Sequence, residues 1–403
     1  MQALLALANQ DGASGVTLAE RAIRLAQQLA NTTLMPRLYE TLGLCWIYLD
    51  AARGCAYLEQ SLSLAHKLGQ TMRVANTYAN LSSIYVEFYE FERAKAYFRD
   101  GIAYAVEHDL DFARIFMQGW QTIMLVQQGQ WKDAAQLIDS IIQRHEPSPG
   151  RGPALIALGR LRARRGEPGA IEALDEALDL SIKLGFRQRE GMIRAARAEA
   201  SWLGGDYQRT LDEARAVYDI VINIRHPWAS GELTYWRCLS GESIPAPPWV
   251  AQPWALQISG DWQAAATCWQ ELGCPYEQAQ ALANGDIPAR LVALEIFERL
   301  GAWPAADSLR QSLRRSGVRN VPRKARQATR ENPFLLTPRE LNILDLLSEG
   351  LSNAMIAERL VISPKTVDHH VSAVLSKLHV HSREEAAELA RQHHLFHKNR
   401  ESY

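Results

Sequence analysis

The 403-residue sequence has little of what secreted, disulfide-bonded or membrane-spanning proteins need. Its cysteines are odd in number, five in all, and form no C-x-x-C pair. No apolar run approaches the roughly 18 residues of a membrane span. The first basic residue is Arg21, so the charged start of a signal peptide is also missing. We therefore expect a cytoplasmic protein with reduced, partly buried cysteines.

Motifs for catalysis and nucleotide binding are missing as well. Neither H-E-x-x-H nor G-x-S-x-G occurs, and none of the eight lysines follows a glycine, which excludes a G-x-x-x-x-G-K-[ST] phosphate loop. His393, His394 and His397 could face one side of a helix as metal ligands, but no carboxylate or cysteine joins them at a useful spacing. We expect no enzyme activity, no metal and no other cofactor.

Charge is distributed unevenly along a chain that is almost neutral overall. Residues 310–400 contain 16 Lys and Arg against 9 Asp and Glu, a net charge of +7, whereas the remainder contains 28 against 36, a net charge of −8. Much of the basic end is a segment predicted as a linker, residues 313–333, which is rich in arginine. The linker is either a phosphate-contacting arm or a solvated hinge. A basic end favours a polyanionic partner.

Residues 334–398 predict four short helices, each with its own start signal. Thr337 precedes Pro338 and lies three residues before Glu340, which is a capping box with a proline at the first helical position. Ser352 and Ser363 are the corresponding caps of the second and third helices. The fourth helix is predicted over 383–396. The second and third helices, joined by three residues, form a helix-turn-helix.

The third helix has two chemically different faces. At about 100° per residue, one face is apolar and consists of Val367, Val371, Val374, Leu375 and Leu378. The opposite face, called the polar face below, consists of Lys365, Asp368, His369, Ser372 and Ser376. Such a helix is either an ordinary amphipathic helix with a solvated back or a helix that reads DNA. The preceding capped helix and tight turn favour DNA.

These features resemble the LuxR/FixJ-type helix-turn-helix domain. The matching stretches include Leu336–Glu340, Gly350–Asn353, Ser363–Val367, Lys377-Leu378 and Ser382-Arg383. The resemblance implies binding to double-stranded DNA as a homodimer that pairs through the fourth helix. The candidate DNA-binding residues are Ser352, Asn353, Ser363, Lys365, Thr366, Asp368, His369, Ser372 and Lys377.

Asp368 departs from this family, in which a lysine is common at the same position. An acid repels phosphate but can accept a hydrogen bond from a cytosine amino group, so Asp368 either specifies a base or is tolerated. Glu340 and Arg383 match the family but lie off the polar face. We expect Glu340 to close the cap and to pair with Arg383 across the small core.

Residues 1–312 predict a tetratricopeptide-like array of helix pairs. A turn of glycine, polar residue and aromatic residue recurs before alanine-rich helices, for example Gly205-Asp206-Tyr207 and Gly260-Asp261-Trp262. The spacing between successive turn glycines is mostly near 40 residues, typical of a solenoid of helix pairs. The turn aromatics are explained by packing against neighbouring repeats. The concave face of such an array is a common docking surface for a protein, a peptide or a small molecule.

The order of array and terminal domain resembles the C-terminal part of the large ATP-binding, MalT-like LuxR-family regulators. Gly260-Asp261-Trp262, Leu272–Glu277 and Val321-Pro322-Arg323 carry this resemblance. The nucleotide-binding domain of that group is missing, so the chain is either a shortened member or a fragment of a longer protein.

The sequence as a whole thus predicts an all-α protein with a helical repeat solenoid at 1–312 and a four-helix LuxR-type domain at 334–398. The predicted function is sequence-specific transcriptional regulation with the array as a sensor or interaction domain. The alternative is a protein-interaction scaffold whose helix-turn-helix serves as a docking module.

Overall fold

A computed structural model describes residues 11–143, 149–184, 189–319, 321–322, 334, 336–378 and 380–392. Over these residues the chain is helical and contains no strand, which confirms the all-α prediction. The chain divides into two compact units, Met1–Arg319 and Asn320–Tyr403. The predicted domain boundaries themselves stay a prediction.

The described part of the first unit contains eighteen α-helices and a short 3-10 helix at Thr32–Leu34. The first nine are α1 (Gly12–Gln28), α2 (Met35–Trp46), α3 (Ala51–Lys67), α4 (Thr71–Glu87), α5 (Phe91–Glu107), α6 (Asp111–Gln127), α7 (Trp131–Ile142), α8 (Arg151–Arg165) and α9 (Ala170–Leu184). The other nine are α10 (Glu190–Leu203), α11 (Tyr207–Ala216), α12 (Tyr218–Asn223), α13 (Pro227–Leu239), α14 (Gln252–Ser259), α15 (Trp262–Glu271), α16 (Pro275–Leu282), α17 (Ile287–Leu300) and α18 (Trp303–Arg315).

The recurring turn motif has a simple structural meaning. In Gly260-Asp261-Trp262 the glycine ends α14 with a φ of 86°, a left-handed conformation that L side chains rarely adopt. Asp261 then caps α15 by accepting a hydrogen bond from the Ala264 N–H at 3.1 Å. The aromatic residue is the first residue of the new helix. One helix stop and one helix start are therefore encoded in three residues.

Contacts in the first unit are not confined to neighbouring helix pairs. Tyr89, between α4 and α5, stacks on Trp228 of α13 with ring centroids 3.9 Å apart. Arg164 of α8 donates to Glu277 of α16 at 2.6 Å across 113 residues of sequence. The helical array was predicted correctly, but these contacts between distant helices were not part of the prediction.

A buried ionic cluster forms part of these long-range contacts. Arg164, 2% exposed, is bonded to Glu199 of α10 at 2.7 Å and to Glu277. Arg160 is bonded to Glu199 at 2.7 Å and to Glu232 of α13 at 2.8 Å. Burial alone would raise the pKa of Glu199, but Arg164 and Arg160 outweigh it and lower that pKa. The cluster holds four helices together as long as every charge keeps its partner.

The described part of the second unit contains four α-helices: α19 (Pro338–Ser348), α20 (Asn353–Leu360), α21 (Pro364–Leu378) and α22 (Arg383–Gln392). The last four residues of the predicted fourth helix, 393–396, lie outside the described residues. At the other boundary, α18 continues to Arg315, so residues 313–315 of the predicted linker are helical. Most of the remaining linker also lies outside the described residues.

Two small apolar cores stabilise the second unit. One joins α19 to the end of α21 and to α22, and includes Leu344, Leu378 and Ala386. The other joins α19 to α20 and the start of α21, and includes Ile343 and Val367. Together they fix the orientation of α21 against three helices.

Candidate nucleic-acid interface

The capping box predicted at the start of α19 is present. The Thr337 hydroxyl accepts a hydrogen bond from the Glu340 N–H at 3.2 Å, and the Glu340 carboxylate accepts one from the Thr337 N–H at 2.7 Å. Pro338 occupies the first helical position. These bonds satisfy donors that a helix start otherwise leaves unpaired, and so they fix where α19 begins.

The turn between α20 and α21 is short and capped on both sides. Ser352 starts α20 by accepting from the Met355 N–H at 3.4 Å, and Ser363 starts α21 by accepting from the Thr366 N–H at 3.1 Å. Val361 ends α20 in a left-handed conformation, with a φ of 56° and 89% of its surface exposed. A β-branched residue is rare in that conformation. The Arg339 guanidinium donates to the last carbonyl of α20, that of Leu360, at 3.1 Å.

The helix α21 presents the two faces that the sequence predicted. Val367, Val371, Val374 and Leu378 are buried, and Leu375 is half-buried. The exposed polar residues are Lys365, Thr366, Asp368, His369, Ser372 and Ser376. The turn brings Ser363 beside Thr366, with the two hydroxyl oxygens 2.8 Å apart. Hydroxyl, imidazole and ammonium groups thus share one exposed surface at the start of α21.

Asp368 has a structural partner that the sequence did not indicate. Its carboxylate accepts a hydrogen bond from the Asn353 side-chain amide at 3.0 Å. The carbonyl oxygen of that amide accepts from the Arg383 guanidinium at 2.6 Å. The three side chains form a relay, called the 383–353–368 relay below, that links α22, the first residue of α20 and α21. The acid on the polar face is therefore already engaged by a neutral donor.

The expected pairing of Glu340 with Arg383 was wrong. Glu340, 6% exposed, instead accepts from the Lys377 ammonium at 2.7 Å, and Arg383 donates to Asn353. Both side chains are long, and helix spacing alone does not show which of several nearby charges a guanidinium reaches. The predicted DNA-binding residue Lys377 is thus bound by a buried carboxylate, which reduces the positive charge that it presents to solvent.

Of the nine candidate DNA-binding residues, six lie exposed on or next to the polar face. These six are Ser363, Lys365, Thr366, Asp368, His369 and Ser372. Ser352 is exposed at the start of α20, whereas Asn353 and Lys377 are half-buried and engaged with other side chains. Sequence reasoning missed Arg383 as a neighbour of this surface. The signals for it were its match to the family and its position at the start of α22.

Three further expectations bear on this site and on the chain as a whole. The described residues contain no group of three or more His, Cys, Asp or Glu that could hold a metal ion. The histidines considered for a metal, His393, His394 and His397, lie outside the described residues. None of the helices described is long and apolar enough to cross a membrane. The five cysteines are free, and three of them are buried.

Comparison with known proteins identifies the terminal domain. Residues 335–390 match the family model of bacterial regulatory proteins, luxR family. The nitrate/nitrite response regulator protein NarL of Escherichia coli K12 is 46% identical over 74 residues, which is 18% of this chain and 34% of NarL. The transcriptional regulatory protein LiaR of Bacillus subtilis is 42% identical over 83 residues, which is 21% of this chain and 35% of LiaR. The response regulator protein VraR of Staphylococcus aureus is 38% identical over 105 residues, which is 25% of this chain and 50% of VraR.

The chain thus spans between about a third and a half of the length of these relatives. The second unit contains a LuxR-family helix-turn-helix domain, which confirms the resemblance drawn from the sequence. The helical array of the first unit is consistent with the MalT-like order of domains.

Proposed function

We propose that this chain is a sequence-specific DNA-binding transcriptional regulator that acts in the cytoplasm, with its helical array as a sensor or interaction domain. The observation that supports this most directly is the exposed polar face of α21. It follows a tight capped turn and carries side chains suited to phosphates and base edges. The names of the relatives, two response regulators and a transcriptional regulatory protein, agree with it.

We assign different roles to different parts of the surface. Lys365 and Thr366, at the start of α21, bind phosphate together with the hydroxyls of Ser352 and Ser363, because a helix N-terminus favours an anion. His369 and Ser372, farther along the polar face, contact base edges. Asn353 and Asp368 position α21 through the 383–353–368 relay. Lys377 has its main role inside the unit, as the partner of Glu340.

Two substitutions in the full chain test this division of roles. Lys365→Ala should weaken binding about equally on all sequences and reduce the salt dependence by about one unit of slope, because one phosphate contact is lost. His369→Ala should instead change which sequences are selected from a random duplex library. Arg99→Ala is the matched control, since Arg99 is an exposed cation of the first unit. Uniform losses of the same size for both variants would refute the division.

The alternative function, a scaffold whose helix-turn-helix docks a protein, was motivated by the acid at position 368. The hydrogen bond from Asn353 gives that acid a role compatible with DNA binding. The same library selection separates the two functions. A wild-type chain that enriches no sequence from the library would favour the scaffold.

We further propose that the chain binds DNA as a homodimer, because two half-sites give a small domain useful affinity. The expected contact needs revision. Pairing was expected through the fourth helix, but its small apolar residues Ala386, Ala387 and Ala390, which would let two copies of α22 approach closely, are all buried within the unit. Sedimentation of the full chain with a selected duplex tests the proposal. One chain per duplex at saturation, on a site without inverted symmetry, would refute it.

A further inference from the structure

The first unit contains a partly open cavity of about 340 Å³. That volume is at the small end of the range of roughly 300–1,000 Å³ for small-molecule sites. Its walls come from α1, α2, α4 and α6, from the residue before α10 and from the turn after α12. Much of the lining is apolar and includes Leu44, Ile47, Ile84 and Trp120. Several polar and charged side chains also line the cavity, so the charge and the hydrogen-bonding groups of a ligand decide whether it fits.

The acidic side chains of the cavity already have donors. Asp11 caps α1 by accepting from a backbone N–H at 2.9 Å. Glu87 accepts from the Tyr48 hydroxyl at 2.9 Å and from the His226 ring at 2.6 Å. The other ring nitrogen of His226 accepts from a backbone N–H of α13, which places the ring proton on the nitrogen facing Glu87. Burial raises the pKa of Tyr48 well above its ordinary value, and Glu87 adds to this effect, so the hydroxyl stays a donor.

The basic side chains of the cavity lie against aromatic rings. The Arg189 guanidinium is 5.3 Å from the ring of Trp120 and 5.4 Å from that of Phe116. Burial lowers the pKa of Arg189, although Glu87 opposes the shift, so an added anion would stabilise its charged form. The Arg225 guanidinium is 5.3 Å from the ring of Trp249.

A buried donor lies at the same place. The indole N–H of Trp120, a residue only 2% exposed, has no hydrogen-bond acceptor among the described residues. That nitrogen has almost no accessible surface of its own, so a ligand in the cavity does not reach it and meets the apolar part of the ring instead. The cavity therefore offers two cations beside an apolar wall.

We propose that this cavity binds a small organic carboxylate with an apolar body. Its carboxylate lies toward Arg189 and Arg225, and its body packs against Ile84 and Trp120. An inorganic anion would leave the apolar wall uncovered, and an organic cation would meet the two arginines. The role of such a ligand as an effector rests on the proposed sensor function, whereas its binding does not.

Matched pairs of acid and amide test the proposal on the full chain. Octanoate and 3-phenylpropionate are titrated by calorimetry beside octanamide and 3-phenylpropionamide, which have nearly the same shape without the charge. We expect each acid to bind at least about tenfold more tightly than its amide, since one charge-assisted hydrogen bond exceeds the 1.4 kcal/mol of a tenfold change. Acid and amide binding equally, or neither binding, would overturn the proposal.

Substitutions then locate the site. Arg189→Met should weaken acid binding about tenfold or more and leave amide binding unchanged, while Ile84→Phe should weaken both by filling the cavity. Arg99→Met is the control, since its exposed side chain lies away from the cavity. Circular dichroism checks that each variant is folded, and Arg225→Met replaces Arg189→Met if the latter is not. Full acid affinity in both Ile84→Phe and the arginine variant would exclude this cavity.

The same samples are titrated with a selected DNA duplex. Acid binding that leaves DNA affinity unchanged would contradict the sensor role and keep the ligand site. If the variants lose acid binding but keep the DNA affinity of the wild-type chain, the result supports the site. A wild-type chain that binds DNA but no acid would refute the site alone.

Discussion

Replacing Glu340 with alanine should destabilise the second unit by about 2 kcal/mol. The carboxylate is 6% exposed and holds two groups, the Thr337 N–H at 2.7 Å and the Lys377 ammonium at 2.7 Å. Losing the cap interaction costs about 1 kcal/mol. Losing a hydrogen bond to a charged group costs roughly 1.5–3 kcal/mol. Because the Lys377 side chain is 35% exposed and can reach water, we reduce that contribution to about 1 kcal/mol.

The assay must report on the second unit alone. All eleven tryptophans precede residue 304, so tryptophan fluorescence follows only the first unit. Native-state hydrogen exchange read by mass spectrometry resolves the α19 and α21 amides within the full chain. A loss of about 2 kcal/mol predicts roughly thirtyfold faster exchange there, with unchanged exchange in the first unit.

Two controls make the prediction specific. Glu388→Ala removes an acid of α22 whose pair with Arg391 is exposed on both sides, and it should change exchange about twofold at most. Combining Glu340→Ala with Lys377→Met should cost about 1 kcal/mol less than the sum of the two single losses, since the pair is lost only once. Equal effects of Glu340→Ala and Glu388→Ala, or strict additivity in the double variant, would refute the reasoning.

Three further substitutions test other parts of the structure. Asp368→Lys adds a cation to the polar face. The salt dependence of the DNA affinity, measured between 50 and 200 mM salt, should therefore become steeper by about one unit of log–log slope. An unchanged slope would show that this face does not approach phosphate. Val361→Asn should stabilise the turn by roughly 0.5–1 kcal/mol, because asparagine tolerates the left-handed conformation that Val361 adopts. Amide exchange in α20 should therefore become slower. Faster exchange would contradict this prediction. Arg164→Met leaves the buried Glu277 carboxylate without its cation and Glu199 with Arg160 alone, which costs about 4 kcal/mol. With roughly 2.1 cal/mol/K of unfolding entropy per residue, the first unit should melt about 6 °C lower by tryptophan fluorescence, and a change below about 1 °C would show that the cluster is not needed.

The features that were predictable from the sequence are those encoded by a few adjacent residues. Thr337 and Glu340 form their capping box because both partners lie within one turn of helix. The two faces of α21 follow from its period, and Gly260 and Asp261 end one helix and begin the next. Each of these signals is local, so a single sequence contains it in full.

The features that were missed depend on which helices become neighbours. Arg164 and Glu277 are 113 residues apart, and no local pattern marks either as the partner of the other. The alanines of α22 illustrate a related difficulty. Small apolar residues suit a dimer contact and a tight core equally well, and only the packing of α22 on α19 showed that Ala386 and Ala390 are in the core.

Position 368 shows how a departure from a family pattern can be explained by its neighbours. Taken alone, an acid on a DNA-facing helix opposes binding. In the 383–353–368 relay, however, Asp368 accepts from Asn353, which in turn accepts from Arg383. A lysine at 368 would leave the Asn353 amide without this acceptor. Asn353 and Arg383 match the family whereas Asp368 does not, so these two hydrogen bonds are the way in which this chain accommodates an acid at position 368.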